Sequence, residues 1–143
     1  MNIFLNSTGK QENTNCISKA VSLGDFVYVS AQTGSGETIE EQTMTACNKV
    51  IDAISSLGLK MHHLVKFTVY LKDIELKEAF LKTFEYFLEE PFPACSIVEV
   101  QGLEDHALVS IEALGVNTLR YEQRNTESSC SNGCKECSGH CHD

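Results

Sequence analysis

Positive charge is scarce in this chain relative to negative charge. It carries 11 lysines and arginines against 20 aspartates and glutamates, a formal net charge of −9. Such a field repels phosphate backbones and argues against nucleic acid as a partner, although a local basic pocket stays compatible with it. A long apolar run is also missing, so no segment reads as a membrane span. The start, Met1-Asn2-Ile3-Phe4-Leu5-Asn6, lacks the basic and apolar regions of a secretory leader. A cytoplasmic, reducing setting is expected, with the scattered Cys16, Cys47 and Cys95 as free thiols. The glycine-bearing stretch from Ala31 to Gly36 lacks the Gly-x-x-x-x-Gly-Lys spacing of a phosphate loop.

What remains is the composition of a globular domain: 42% hydrophobic and 22% charged residues over 143 positions. Ala20 to Leu23 and Phe26 to Ser30 are β-rich runs split by Gly24-Asp25, a hairpin signal. Ile3-Phe4-Leu5 can add an edge strand. Thr38 and Glu41 form a capping box. After it Cys47, Val50, Ile51, Ile54 and Leu57 recur at helical spacing until Gly58, where a C-terminal cap belongs. Cys47 on that stripe reads as a small core residue. The next pair, His62-His63, reads as solvent-facing.

Leu64 to Leu71 alternates, with Val65, Phe67, Val69 and Leu71 expected on the buried face. Asp73 is placed to cap a second helix with the stripe Leu76, Phe80, Phe84, Phe87 and Leu88, which Pro91 and Pro93 stop. Two strands close the domain, Ala94 to Val100 and Leu108 to Leu114. The order β-β-α-β-α-β-β places a single domain over 1–116 among layered α+β or α/β folds, of which α+β is the expectation taken forward. Its mixed sheet carries both helices on one face, and the bare face suggests self-association. Residues 117–143 read as a Cys/His-rich tail without a core of its own. There Cys130, Cys134, Cys137 and Cys141, with His140 and His142, offer a compact zinc chelate. A redox-active or crosslinked tail, or an uncommitted one, is equally compatible with that spacing, because zinc modules usually separate their ligand pairs by a dozen residues or more.

Four runs carry a resemblance to a known family: Ala20 to Gln32, Val65 to Asp73, Phe92-Pro93-Ala94-Cys95-Ser96 and Ile111-Glu112-Ala113. Together they resemble the RidA/YjgF/UK114 family, also called L-PSP endoribonuclease-like. The resemblance implies a chorismate-mutase-like fold, a homotrimer with small-molecule clefts between subunits, and hydrolysis of reactive 2-imino or enamine acids to 2-keto acids and ammonia. It implies no cofactor for that cleft. It assigns Glu112 and Cys95 to catalysis, and Ser30, Ala31, Cys95, Ile97 and Ile17 to substrate binding. Glu112 would position the attacking water, with a raised pKa if its cleft is dry. Ser30 would donate a hydrogen bond into the same cleft.

The chain departs from the family pattern at three positions. Cys95 stands where the substrate-binding arginine is expected, Ile17 where a tyrosine is, and Leu81 where an asparagine is. A guanidinium grips a carboxylate through two parallel charged hydrogen bonds, and a thiol cannot. Losing such a contact costs roughly 2–5 kcal/mol. Cys95 is left open as a pocket filler, a reactive thiol, or a residue linked to a disulfide or metal. A reactive thiol needs nearby positive charge, and His106 is the one such group that the two final strands and their loop offer. The rival functions are a non-catalytic ligand-binding or sensing protein and, least favoured, a ribonuclease.

Overall fold

The computed structural model describes residues 2–5, 16–119 and 121–122. Six strands form one sheet: β1 (Ile3–Leu5), β2 (Ala20–Leu23), β3 (Phe26–Thr33), β4 (Leu64–Leu71), β5 (Ala94–Glu99) and β6 (Val109–Val116). Two helices accompany them, α1 (Ile39–Ser55) and α2 (Lys77–Phe84). The sheet order is β1-β2-β3-β6-β4-β5, antiparallel except for the β4–β5 pair. This is a mixed-sheet α+β domain, and the short edge strand β1 joins it as its sequence suggests.

Local chemistry explains the elements. Gly24 takes a φ of +63° in the β2–β3 turn, a conformation that costs glycine little. Thr38 accepts from the Glu41 amide, and the Glu41 carboxylate accepts from the Thr38 amide, so the expected capping box starts α1. Gly58, at φ +78°, ends the α1 region, and the Leu59 amide reaches back to the Ile54 carbonyl. Asp73 caps a single 3-10 turn, Ile74–Leu76, from which α2 continues.

The core lies between the sheet and the two helices. Val50 and Ile54 of α1, Phe80 and Phe84 of α2, and Phe67, Val69 and Ile111 of the sheet are fully buried. Phe67 meets Phe84 edge-on at 5.1 Å, a favoured aromatic geometry. Cys47 is buried in the same layer, and desolvation pushes its thiol up to about 12, so it is an inert core residue as its position on the stripe suggests.

Two bulges revise the expected alternation. In β4 the pairing with β6 slips between Leu64 and Lys66, so Leu64 is buried and Val65 is exposed, contrary to the expected inward Val65. In β3 the pairing slips between Val29 and Gln32, and the strand runs on to Thr33, past the expected β-rich run that stops at Ser30. A bulge inserts a residue without ending the strand, and a simple two-residue period cannot reveal it. The face away from the helices carries Phe26, Tyr28 and Val98, each exposed.

Candidate functional site

The bulge in β3 creates the site. Val29 pairs with Ala113 and Gln32 with Ile111, so Ser30 and Ala31 together stand opposite the single residue Glu112. Neighbouring strands lie about 4.8 Å apart, which brings those three residues together. The Ser30 amide donates to the Lys19 carbonyl at 3.0 Å, its hydroxyl donates to the Ser18 carbonyl at 2.8 Å, and the Gln32 side-chain amide donates to the Ser30 carbonyl at 2.9 Å. These bonds fix the bulge. They also commit the single hydroxyl proton of Ser30, so its oxygen faces the cleft as an acceptor rather than as the expected donor.

Beside the bulge opens a cleft of about 480 Å³. Ile17, Ser30 and Ala31, three of the residues expected to contact substrate, line it together. Sequence inspection missed its other polar members, Ser18, Lys19, Gln32, Lys49 and Glu104. Lys49 comes from α1, and its ammonium donates to the Thr33 carbonyl at 2.7 Å.

Glu112 is half-buried on the face of the sheet away from the helices. The Tyr70 hydroxyl donates to its Oε1 at 2.5 Å. That hydrogen bond to a carboxylate raises the pKa of Tyr70, with some desolvation added, and keeps it a phenol. Tyr70 therefore orients Glu112, a role that only the strand pairing reveals.

Cys95 and Ile97 lie elsewhere. Cys95 pairs with Phe67 and Ile97 with Val69, both core residues, so their side chains are on the helix-covered side, opposite to Glu112. β5 is also three strands from β3, about 14 Å at ordinary strand spacing. One protomer therefore does not assemble Cys95 with Ser30 and Glu112. The cationic neighbours that the last two strands lack come from other elements, Lys66 of β4 and Lys77 of α2. Desolvation outweighs both ammonium groups and leaves the Cys95 pKa raised, so near neutral pH it is a thiol.

The paired histidines differ from expectation. His62 is exposed, but His63 is buried, because the 3-10 turn Met61–His63 points consecutive side chains in different directions. With Glu122 they are the one His/Cys/Asp/Glu group among the described residues whose candidate ligand atoms lie within 4.8 Å of one another. The His63 ring does not suit a metal. Its Nδ1 accepts from the Lys60 amide at 2.9 Å, which puts the ring proton on Nε2, facing Glu122 Oε2 at 3.0 Å. The zinc chelate expected at Cys130, Cys134, Cys137 and Cys141 lies outside the described residues.

Glu122 ties the helical residues Leu119, Tyr121 and Glu122 to the domain. Hydrogen bonds from Thr118 and His63 lower its pKa. A carboxylate with a depressed folded pKa stabilises this docking above its unfolded value, and the contribution disappears as pH falls through the folded one. Amide exchange at Leu119, Tyr121 and Glu122 is expected to accelerate as pH drops below about 4.5, the ordinary value for this group, after correction for intrinsic rates. In Glu122→Gln that extra acid sensitivity should be absent, and its persistence would assign the effect to another group.

Comparison with known proteins places the chain among relatives. The sequence profile of the Endoribonuclease L-PSP family matches residues 10–117. The chain belongs to this family. The 2-iminobutanoate/2-iminopropanoate deaminase of Salmonella typhimurium is 33% identical to it over 108 residues, 68% of this chain and 84% of that protein. A RutC family protein of Pyrococcus abyssi is 30% identical over 105 residues, 68% of this chain and 83% of that protein. Among solved structures, a YjgF/YER057c/UK114 family member from Mycobacterium tuberculosis has a TM-score of 0.74 at 28% identity, covering 81% of this chain and 99% of its own. The mixed sheet and two helices are thus the RidA/YjgF/UK114 fold, and relatives within the family carry the name of imine deaminases. No helix among the described residues is long and apolar enough to cross a membrane.

Proposed function

We propose that this chain hydrolyses small reactive 2-imino acids to 2-keto acids and ammonia, in clefts between the subunits of a homotrimer. The carrying observation is the β3 bulge, which sets Ser30 and Ala31, two lining residues of an open cleft, opposite Glu112 in a chain related to named deaminases. In this reaction water adds to the imine carbon, giving a carbinolamine. Glu112 takes a proton from the attacking water and returns it to the nitrogen, then takes the carbinolamine hydroxyl proton as the C=O bond forms, the C–N bond breaks and the nitrogen leaves as ammonia. Tyr70 holds the carboxylate in place through its hydrogen bond. Water is the nucleophile, and no cofactor is needed.

The opposite placement of Cys95 and Glu112 in one chain supports a cleft shared between copies, with the partner subunit's Cys95 and the partner subunit's Ile97 completing its wall. The exposed Phe26, Tyr28 and Val98 on the uncovered face fit burial against other subunits. The absence of a guanidinium at Cys95 favours one rival, a cleft that binds its ligand without turnover. A net charge of −9 weighs against ribonuclease action.

Ammonia release from imines generated from serine and from larger apolar amino acids tests this, with wild type and Cys95→Arg side by side. Wild type is expected to accelerate release, and Cys95→Arg to raise kcat/KM further, by at least about tenfold for a gained charged contact. Release by Cys95→Arg alone would mean that the scaffold has given up the reaction.

A further inference from the structure

We infer that Lys49 anchors the substrate carboxylate, in the role that the missing arginine leaves vacant. This rests on the proposed 2-imino acid chemistry and adds the group that recognises the acid. Four observations carry it. First, the family's arginine position is a thiol here, and in its own protomer it lies three strands from the bulge. Secondly, Ser30, the hydroxyl in the cleft nearest in sequence to the bulge, has spent its proton on the Ser18 carbonyl and cannot donate to an anion.

Thirdly, the cleft supplies cations of its own, Lys19 and Lys49, within a strongly acidic chain. Only Lys49 is tethered. One of its three N–H groups bonds to the Thr33 carbonyl at 2.7 Å, which fixes the ammonium next to the bulge and leaves two donors for a carboxylate. The Lys19 ammonium makes no such bond among the described residues. Fourthly, the cleft also carries one carboxylate, Glu104. Two ammonium groups and one carboxylate complement a molecule with an anionic carboxylate and a cationic iminium nitrogen, and disfavour a dianion. The ligand class is therefore a monocarboxylic α-imino or α-amino acid, with a small side chain lying against Ile17 and Ala31.

The test uses the full chain and two probes, 2-oxobutanoate and its neutral amide, 2-oxobutanamide. Binding of each is measured by calorimetry for wild type, Lys49→Gln and Lys49→Arg, with imine turnover followed in parallel. Lys49→Gln is expected to weaken 2-oxobutanoate by about tenfold or more, the size of one lost charged hydrogen bond, and to leave the amide within about twofold. Lys49→Arg should restore most of the loss. In turnover, Lys49→Gln should raise KM and leave kcat within about threefold, the pattern of a group that binds ground and transition states alike.

Unchanged 2-oxobutanoate affinity in a Lys49→Gln protein of normal thermal midpoint would overturn the inference. So would equal weakening of acid and amide, or no binding of 2-oxobutanoate to wild type. Turnover that survives Lys49→Gln with unaltered KM sinks the anchor and spares the deaminase. Binding that depends on Lys49 without any turnover sinks the deaminase and spares the anchor.

Discussion

Glu112→Gln is expected to lower kcat for imine hydrolysis by about 10²–10⁴-fold, the usual worth of a positioned general base, with KM changed by less than about threefold. The amide keeps the shape and the hydrogen bond from Tyr70, since its carbonyl oxygen accepts as the carboxylate did. What it loses is the ability to take a proton from water. The substitution therefore separates proton transfer from packing, and its thermal midpoint should stay near wild type. A kcat within about threefold of wild type would remove Glu112 from catalysis, because a bystander carboxylate on a strand gives that result. A parallel rise in KM would make it a binding residue instead.

The largest loss of stability is expected from Phe67→Ala, about 3–5 kcal/mol. Phe67 is fully buried on β4, pairs with Ala113 of β6 and Cys95 of β5, and meets Phe84 of α2 edge-on. Truncation leaves a cavity between sheet and helix that rigid neighbouring strands cannot close. For a domain of this size, the thermal midpoint should fall by roughly 2–4 °C for each kcal/mol. Denaturant unfolding with an unchanged slope would assign the loss to the native state. A loss below about 1 kcal/mol would mean that the helix layer collapses onto the sheet, and that the core is softer than its burial indicates.

The parts of the fold that local chemistry dictates could be read directly from the chain. Thr38 with Glu41, Gly24 between two β-rich runs, and Gly58 after the α1 stripe all do what their residue types require. The Phe80 and Phe84 stripe likewise finds the core. The bulges could not be read this way. Val65 alternates correctly with Phe67 and yet is exposed, because the partner strand sets the slip at Leu64. The same limit hid the opposition of Ser30 and Ala31 to Glu112, which depends on the register of β6 against β3.

Cys95 and Glu112 look like neighbours because their strands are consecutive in the chain. In the sheet β4 lies between β5 and β6, and the ladder puts Cys95 with Phe67 and Glu112 with Thr68, on opposite faces. Strand order and register are long-range properties, so residue spacing carries little trace of them. Lys49 escaped notice for a related reason. It is the single basic residue of α1 and is exposed there, and its bond to the Thr33 carbonyl is what assigns it to the cleft.

Catalysis by this cleft is tested by the fate of the imine itself. 2-Iminobutanoate is generated continuously from 2-aminobutanoate by an amino-acid oxidase, and its disappearance and the ammonia formed are followed with the full chain and with Glu112→Gln at equal concentration. The wild-type chain is expected to shorten the life of the imine well below its spontaneous value, in proportion to protein added, and Glu112→Gln to leave it near spontaneous. Imine decay unaffected by the folded wild-type chain, or accelerated equally by both proteins, would contradict that expectation.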